Sequence, residues 1–391
     1  MTATRIVVIG GGYAGVLAAN RLSRRDDIHV TLVNPRPMFV ERIRLHQLVA
    51  GNHSAVADFT SILAPSVRLV IDTAERVDAT AHQVDLASGG SLAYDYLVYA
   101  VGSTAPVPAA VSGADRFAYP LGEWEPAQRL TARLAGVPPE APIVVVGGGL
   151  TGIEAAGELA EAGRHVTLVT DVVGPSLARG GRRSVTSRLR RLGVMVVDDT
   201  TVAAVESDRV VLRDGRHLLS AATVWTAGFG VPELAADSGL RTDRLGRLLT
   251  DETLTYVDDP SIVAAGDAAC PSGMPLRMSC QLAMPLAADA ADTLIARLDG
   301  AAPRTINPAS VGQCISVGRR AGTIQMSRFS DVAVPLHLGG RLAATIKEAV
   351  CAGTVSFLAK EARRPGSYFW PRGGGRSRTI ARAASETRAL R

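Results

Sequence analysis

Two glycine-rich stretches carry the strongest chemical signal in the chain. Gly10-Gly11-Gly12-Tyr13-Ala14-Gly15 follows the apolar run Val7-Val8-Ile9, and Gly147-Gly148-Gly149-Leu150-Thr151-Gly152 follows Val144-Val145-Val146. The spacing G-x-G-x-x-G suits a phosphate-binding turn. The first glycine permits a tight turn, the second lets the backbone approach a pyrophosphate, and the third admits close helix packing. The helix that opens there aims unpaired N–H groups and the positive end of its dipole at the phosphates. Two such loops in one chain point to two dinucleotides and to electron transfer between them.

The elements that must position these loops form an internal repeat, offset by 137 residues. After each loop comes an Ala-rich stretch and a second apolar run, Val30-Thr31-Leu32-Val33 in the first copy and Val166-Thr167-Leu168-Val169 in the second. The first run of each copy lacks polar alternation, as a parallel strand buried on both faces does. Gly15, Ala18 and Ala19, like Gly152, Ala155 and Ala156, keep one helix face small enough to lie against a sheet. Each copy therefore reads as strand, turn, helix, strand, the βαβ unit of a mononucleotide-binding fold. The offset is too long for a solenoid and suits a duplicated domain.

Composition bounds the rest. A chain of 391 residues with 47% hydrophobic and 20% charged residues should fold as two or three domains. Aromatics make up only 4%, so the cores must be aliphatic. Cys270, Cys280, Cys314 and Cys351 form no C-x-x-C pair, which argues against a disulfide framework, a zinc knuckle and a local dithiol. The scattered histidines offer no metal-ligand spacing. The N-terminus lacks a secretory pattern, and uninterrupted apolar runs fall short of the about 18 residues of an ordinary membrane span. A reducing, cytoplasmic setting is expected. The net charge of +5 is uneven: from Arg341 onward eleven Lys or Arg face three Glu, which leaves the body at −3. All but Lys347 and Lys360 of the 42 basic residues are Arg, a bias that makes the charge a poor sign of nucleic-acid binding, and none is expected.

Further stretches resemble a known family. Asp95-Tyr96-Leu97-Val98-Tyr99-Ala100-Val101-Gly102-Ser103, Trp225-Thr226-Ala227-Gly228 and Ile262-Val263-Ala264-Ala265-Gly266-Asp267-Ala268 are similar, in order, to conserved segments of two-dinucleotide flavoproteins. Asn34-Pro35-Arg36-Pro37-Met38-Phe39 and Met278-Ser279-Cys280-Gln281-Leu282-Ala283 resemble the type-2 NADH dehydrogenase and apoptosis-inducing-factor-like branch of the pyridine nucleotide-disulfide oxidoreductases. The resemblance implies FAD on the first loop, with NADH or NADPH as co-substrate on the second. It also implies hydride transfer to the flavin and electron release to a quinone or similar small acceptor.

The same resemblance suggests roles. Asp267 would bind the ribityl chain of FAD, Asn34 its ribose, Arg44 its phosphate or flavin, and Ala74 its adenine through the backbone. Gly102 and Gly228 would close the two cofactor sites. Glu154 would orient the nicotinamide or relay a proton, or else is simply a glutamate favoured near a helix N-terminus. Cys280 and Gln281 would face the flavin and the acceptor, although Cys280 also suits a small buried position and Pro285 replaces the second Gln of the quinone pattern. His46 would tune the flavin, or else is a solvent-exposed or structural histidine. Thr170 stands where an acid would select NADH, with Asp171 next to it and Arg179, Arg182 and Arg183 nearby, so the choice of nicotinamide stays open.

The expected fold is α/β, with two Rossmann-like dinucleotide-binding domains (FAD and NAD(P)H) and a C-terminal α+β region. An FAD domain of residues 1–115 and 247–302 is interrupted by a NAD(P)H domain at 116–246. A C-terminal region follows at 303–372, with a basic, unstructured tail at 373–391. Leu336, Leu338, Leu342, Ile346, Val350, Val355 and Leu358 suggest a helix that lies on the inner face of a membrane, on the chain's own core, or on a second subunit of a homodimer. Two other functions compete: a reductase for a ferredoxin or rubredoxin, and a slow redox sensor.

Overall fold

The computed structural model describes residues 3–389. The final residues 390–391 of the expected tail lie outside the described residues. The first sheet has five parallel strands in the order Ile262–Ala264, Tyr96–Tyr99, Thr4–Ile9, Ile28–Asn34, Arg68–Ile71. Thr4–Ile9 is central, and Ile6 to Ile9 are buried, which explains their unbroken apolar run. Helix Tyr13–Leu22 follows the first glycine loop and packs against helix Cys280–Leu298. Ala18 and Ala19 are fully buried on it, so the small side chains permit the close approach.

A second five-stranded parallel sheet repeats the plan in the order Ala118–Pro120, Ala222–Trp225, Pro142–Val146, His165–Val169, Met195–Val197. Its central strand again leads into a glycine loop and a helix, Leu150–Glu161. Both sheets thus present their glycine loops at the carboxyl end of the middle strand, where open α/β sheets bind ligands.

The C-terminal region is an antiparallel sheet of Gln313–Ser316, Gly322–Ser327 and Ala333–Gly340, backed by helix Arg341–Arg363. Leu336 and Leu338, expected within a helix, lie in the strand instead. Their two-residue spacing is the strand period. The helix buries Ala343, Cys351, Thr354, Leu358 and Glu361 and leaves Leu342, Val350 and Phe357 exposed. Asn20 of the first glycine-loop helix donates to Leu358 O at 3.2 Å, and Arg21 pairs with the buried Glu361. These bonds tie the C-terminal helix to the first domain. By length and composition it could cross a membrane.

The tail also departs from expectation. A helix spans Arg376–Ala389. Its first residue is anchored: Arg376 pairs with Glu252 at 2.9 Å and donates to Pro271 O at 2.8 Å. A bidentate arginine–carboxylate pair fixes the start of a segment that composition alone marks as unstructured.

Candidate active site

The first loop is built as its glycines require. Gly10 has φ +102°, and a Cβ there would sit 2.4 Å from Ala100 O. A Cβ on Gly15 would sit 1.7 Å from Gly10 O, so no larger residue fits. Gly12 differs: it is exposed, and a Cβ on it would meet nothing within 4 Å. The backbone is bare toward open space there, which is the cradle a pyrophosphate needs. Tyr13 and Ala14 open the helix behind it. Tyr13 is buried edge-on against Phe39 at 5.0 Å, and Gly266 packs on the Ala14 methyl.

The second loop repeats this geometry. Gly147 has φ +113°, a Cβ on Gly152 would sit 1.9 Å from Gly147 O, and Gly149 again faces open space. Thr151 lies in the first turn of helix Leu150–Glu161. Gly228, with φ +91°, also faces open space.

Asn34 and Thr170 hold their loops from within. Asn34 Oδ1 accepts the Gly11 N–H at 2.9 Å, and its amide donates to Arg36 O at 2.7 Å. Thr170 Oγ1 accepts the Gly148 N–H at 2.9 Å and donates to Val172 O at 3.1 Å. Both residues therefore brace glycine turns. Beyond Thr170, a cavity of about 800 Å³ is lined by Asp171, Arg182, Arg183 and Arg190 among others, and Arg179 is not part of its lining.

Asp267 joins three segments of the first domain. Its Oδ2 accepts from Ser103 Oγ at 2.7 Å and its Oδ1 from the Ser279 N–H at 3.0 Å. Burial raises its carboxyl above the ordinary range, against the pull of Ser103 and Arg42. Ser279 also caps helix Cys280–Leu298 by accepting from the Leu282 N–H. Gly102, with φ +73°, stands beside Arg42. Arg42 donates to Ser103 O at 2.6 Å and Gly122 O at 2.7 Å.

Arg44 is held by protein partners. Its buried guanidinium is engaged by Glu41 at 3.1 Å, Gln47 at 2.8 Å and Glu348 at 2.7 Å. Arg42, two residues earlier, is the arginine beside Asp267 and Gly102. Ala74 begins strand Ala74–Asp78, the first strand of a small antiparallel sheet.

A buried charged cluster lies where the second glycine-loop helix meets the C-terminal region. Glu154 accepts from the Ser316 N–H at 3.0 Å and pairs with Lys347 Nζ at 3.0 Å. His46 Nδ1 lies 3.8 Å from its other oxygen. Burial pushes the Glu154 carboxyl up, but Lys347 and the Ser316 N–H outweigh it and hold the group below its ordinary value. Burial pulls Lys347 down, and Glu154 more than restores it, so the ammonium is held above its usual range. Burial takes the His46 imidazole down to about 4 despite Glu154. The helix-dipole reading of Glu154 is thus incomplete, since the carboxylate has a specific cation.

Lys347 is the charged member of this cluster that sequence reasoning missed. Its one available signal was to be one of two lysines among 42 basic residues. Cys280 lies close enough to Lys347 and Cys351 to feel their charges, but burial pushes its thiol up to about 11, so it stays protonated. Gln281 donates to Gly312 O at 3.2 Å and accepts from Ser310 Oγ at 3.4 Å. Pro285 sits in the same helix without an N–H, which leaves the Gln281 carbonyl without its intrahelical donor. Among the described residues no group of His, Cys, Asp or Glu has metal-site geometry.

The sequence and the fold both have known counterparts. The family model described as pyridine nucleotide-disulphide oxidoreductase matches residues 4–292. An NADH dehydrogenase-like protein of Mycobacterium tuberculosis is 33% identical over 296 residues, covering 68% of this chain and 73% of that one. A type II NADH:quinone oxidoreductase of the same organism is 27% identical over 396 residues, covering 87% and 81%. The structure of NDH2 from Plasmodium falciparum in complex with NADH superposes with a TM-score of 0.77 over 94% of this chain and 99% of that one, at 14% identity. The chain belongs to the pyridine nucleotide-disulphide oxidoreductase family and is an NAD(P)H-dependent flavoprotein oxidoreductase.

Proposed function

We propose that the chain oxidises NADH through FAD and passes the electrons to a quinone-type acceptor. The observation that carries this reading is the buried Glu154–Lys347 pair, which joins the second glycine loop's helix to the C-terminal helix near Cys280. FAD, when bound, supplies the chemistry that accepts hydride and releases electrons. The bare backbone at Gly12 and the Asp267 carboxylate are the donor and acceptor set such a group needs. Tyr13, Ala14 and Arg42 would complete its surroundings.

On the second domain, Gly149 and Thr151 would receive the pyrophosphate of the nicotinamide dinucleotide. Asp171, which lines the neighbouring cavity, would accept from its adenosine ribose. Glu154 would orient the reacting end, and Lys347 would give a proton to the acceptor. Gln281 and the open space at Gly228 would bound the acceptor and nicotinamide sides.

The C-terminal helix gives the acceptor a source. Leu342, Ile346, Val350 and Phe357 recur at helical spacing, and Leu342, Val350 and Phe357 are exposed. We place this stripe on the inner membrane surface, with Arg341, Arg363 and Arg364 near anionic headgroups. A quinone would then reach the Lys347 side from the lipid. The test is steady-state oxidation of NADH by the purified protein with a soluble quinone. Turnover that needs the quinone supports the reading, and turnover with a ferredoxin in its place overturns the acceptor.

A further inference from the structure

Among the described residues His46 is the only buried histidine. One ring nitrogen, Nδ1, faces Glu154 Oε2 at 3.8 Å, and the other carboxylate oxygen lies 3.0 Å from Lys347 Nζ. The second ring nitrogen, Nε2, is buried with no hydrogen-bond partner among the described residues. Buried polar atoms are normally paired, so an orphan nitrogen needs a reason. An apolar side chain would fill the space between helices Leu45–Val49 and Leu150–Glu161 without leaving one.

The groups that face the ring come from every neighbouring element. They are Glu154 on helix Leu150–Glu161, Lys347 on helix Arg341–Arg363, Arg319 after strand Gln313–Ser316, and Arg44 just before its own helix. Burial and three cations outweigh one carboxylate, so the ring is neutral near pH 7. A neutral imidazole has one N–H and one free nitrogen. It can take a proton at one nitrogen and release another from the opposite side.

We propose that His46 relays protons to the Glu154–Lys347 pair, with Nε2 as the receiving atom and Nδ1 as the delivering one. The proposal rests on the NADH-to-quinone reading. In that reaction NADH, a quinone and one proton give NAD⁺ and the quinol. The hydride accounts for two electrons and one proton, and the second proton comes from solvent. An N–H bond of Lys347 breaks as the quinol O–H forms. The ammonium is then restored through Glu154 from His46, and His46 from water.

Two measurements test this. In stopped flow, H46Q should bleach the flavin with NADH within about 2-fold of the wild-type rate, because hydride transfer needs no solvent proton. Its re-oxidation by quinone should slow by about 10-fold or more, with an enlarged solvent isotope effect. Wild-type re-oxidation in H46Q overturns the proposal, whereas a wild-type protein that NADH cannot bleach overturns the dehydrogenase reading instead. The second measurement needs no turnover and no variant. In ¹⁵N NMR of the wild-type protein the His46 ring N–H should exchange with water fast enough to broaden, and a sharp, protected N–H would mean a sealed structural histidine.

Discussion

Glu154 and Lys347 are far apart in sequence, yet carboxylate and ammonium meet at 3.0 Å in the interior. Each is the main reason the other can remain charged there. Desolvation opposes both charges, and their mutual attraction reverses it for both. The pair also joins helix Leu150–Glu161 to helix Arg341–Arg363.

Removing either partner should therefore cost more than removing both. K347M and E154Q should each destabilise the fold by about 3–5 kcal/mol, because a buried charge or donor loses its partner. The double variant should recover part of that loss. Urea unfolding of the four proteins measures the coupling, and additive losses would contradict it. K347M should also lower quinone-dependent turnover by about 100-fold, the usual scale of a lost general acid.

The glycines of the first loop should separate folding from cofactor binding. G15A drives a methyl into Gly10 O and should prevent a cooperative melt. G12A meets no protein atom, so it should fold normally and bind FAD weakly. Circular dichroism with flavin absorbance at purification distinguishes them. A yellow, fully loaded G12A would contradict the placement of the pyrophosphate.

The two arginines of one short turn should behave differently. R42A should lose FAD occupancy, since Arg42 supports Ser103 and neighbours Asp267. R44A should keep FAD but melt earlier, by about 1–3 kcal/mol, because Glu41 and Glu348 lose a shared partner and Glu348 is partly solvated. Thermal melts with and without added FAD read both effects.

Acid stability should carry the signature of His46. Its folded value of about 4 lies below the ordinary 6.5, so the unfolded chain binds more protons between them. The contribution is complete above 6.5 and is lost as pH falls from 6.5 toward about 4. Glu348, held down to about 2 by Arg44 and Arg319, adds a loss only at lower pH, below the ordinary carboxylate range. H46Q should flatten the wild-type decline between pH 6.5 and 4 in urea melts, and an unchanged slope would contradict a neutral buried imidazole.

Legibility followed the range of the forces. The glycine loops and their strands could be read because their rules act within a few residues: Gly10 must turn, Gly15 must lie on Gly10 O. The antiparallel C-terminal sheet was half visible, and the two-residue spacing of Leu336 and Leu338 was the clue that a helical period obscured. Arg42 and Arg44 could not be told apart, because a single 3₁₀ turn sends them to opposite partners. His46 and Lys347 were hidden for a stronger reason. Their meaning lies in Glu154, which the chain brings to them only after both sheets have formed. Arg376 likewise needs Glu252 to start its helix.

In the proposed reaction one chain carries electrons from NADH to a quinone through FAD. The most direct measurement is an anaerobic single turnover of the purified protein followed at the flavin absorption band. Addition of NADH should bleach the band within the instrument's mixing period or shortly after, and a soluble quinone should then restore it completely. A band that NADH leaves unchanged, or that bleaches but does not return with quinone, would contradict the account.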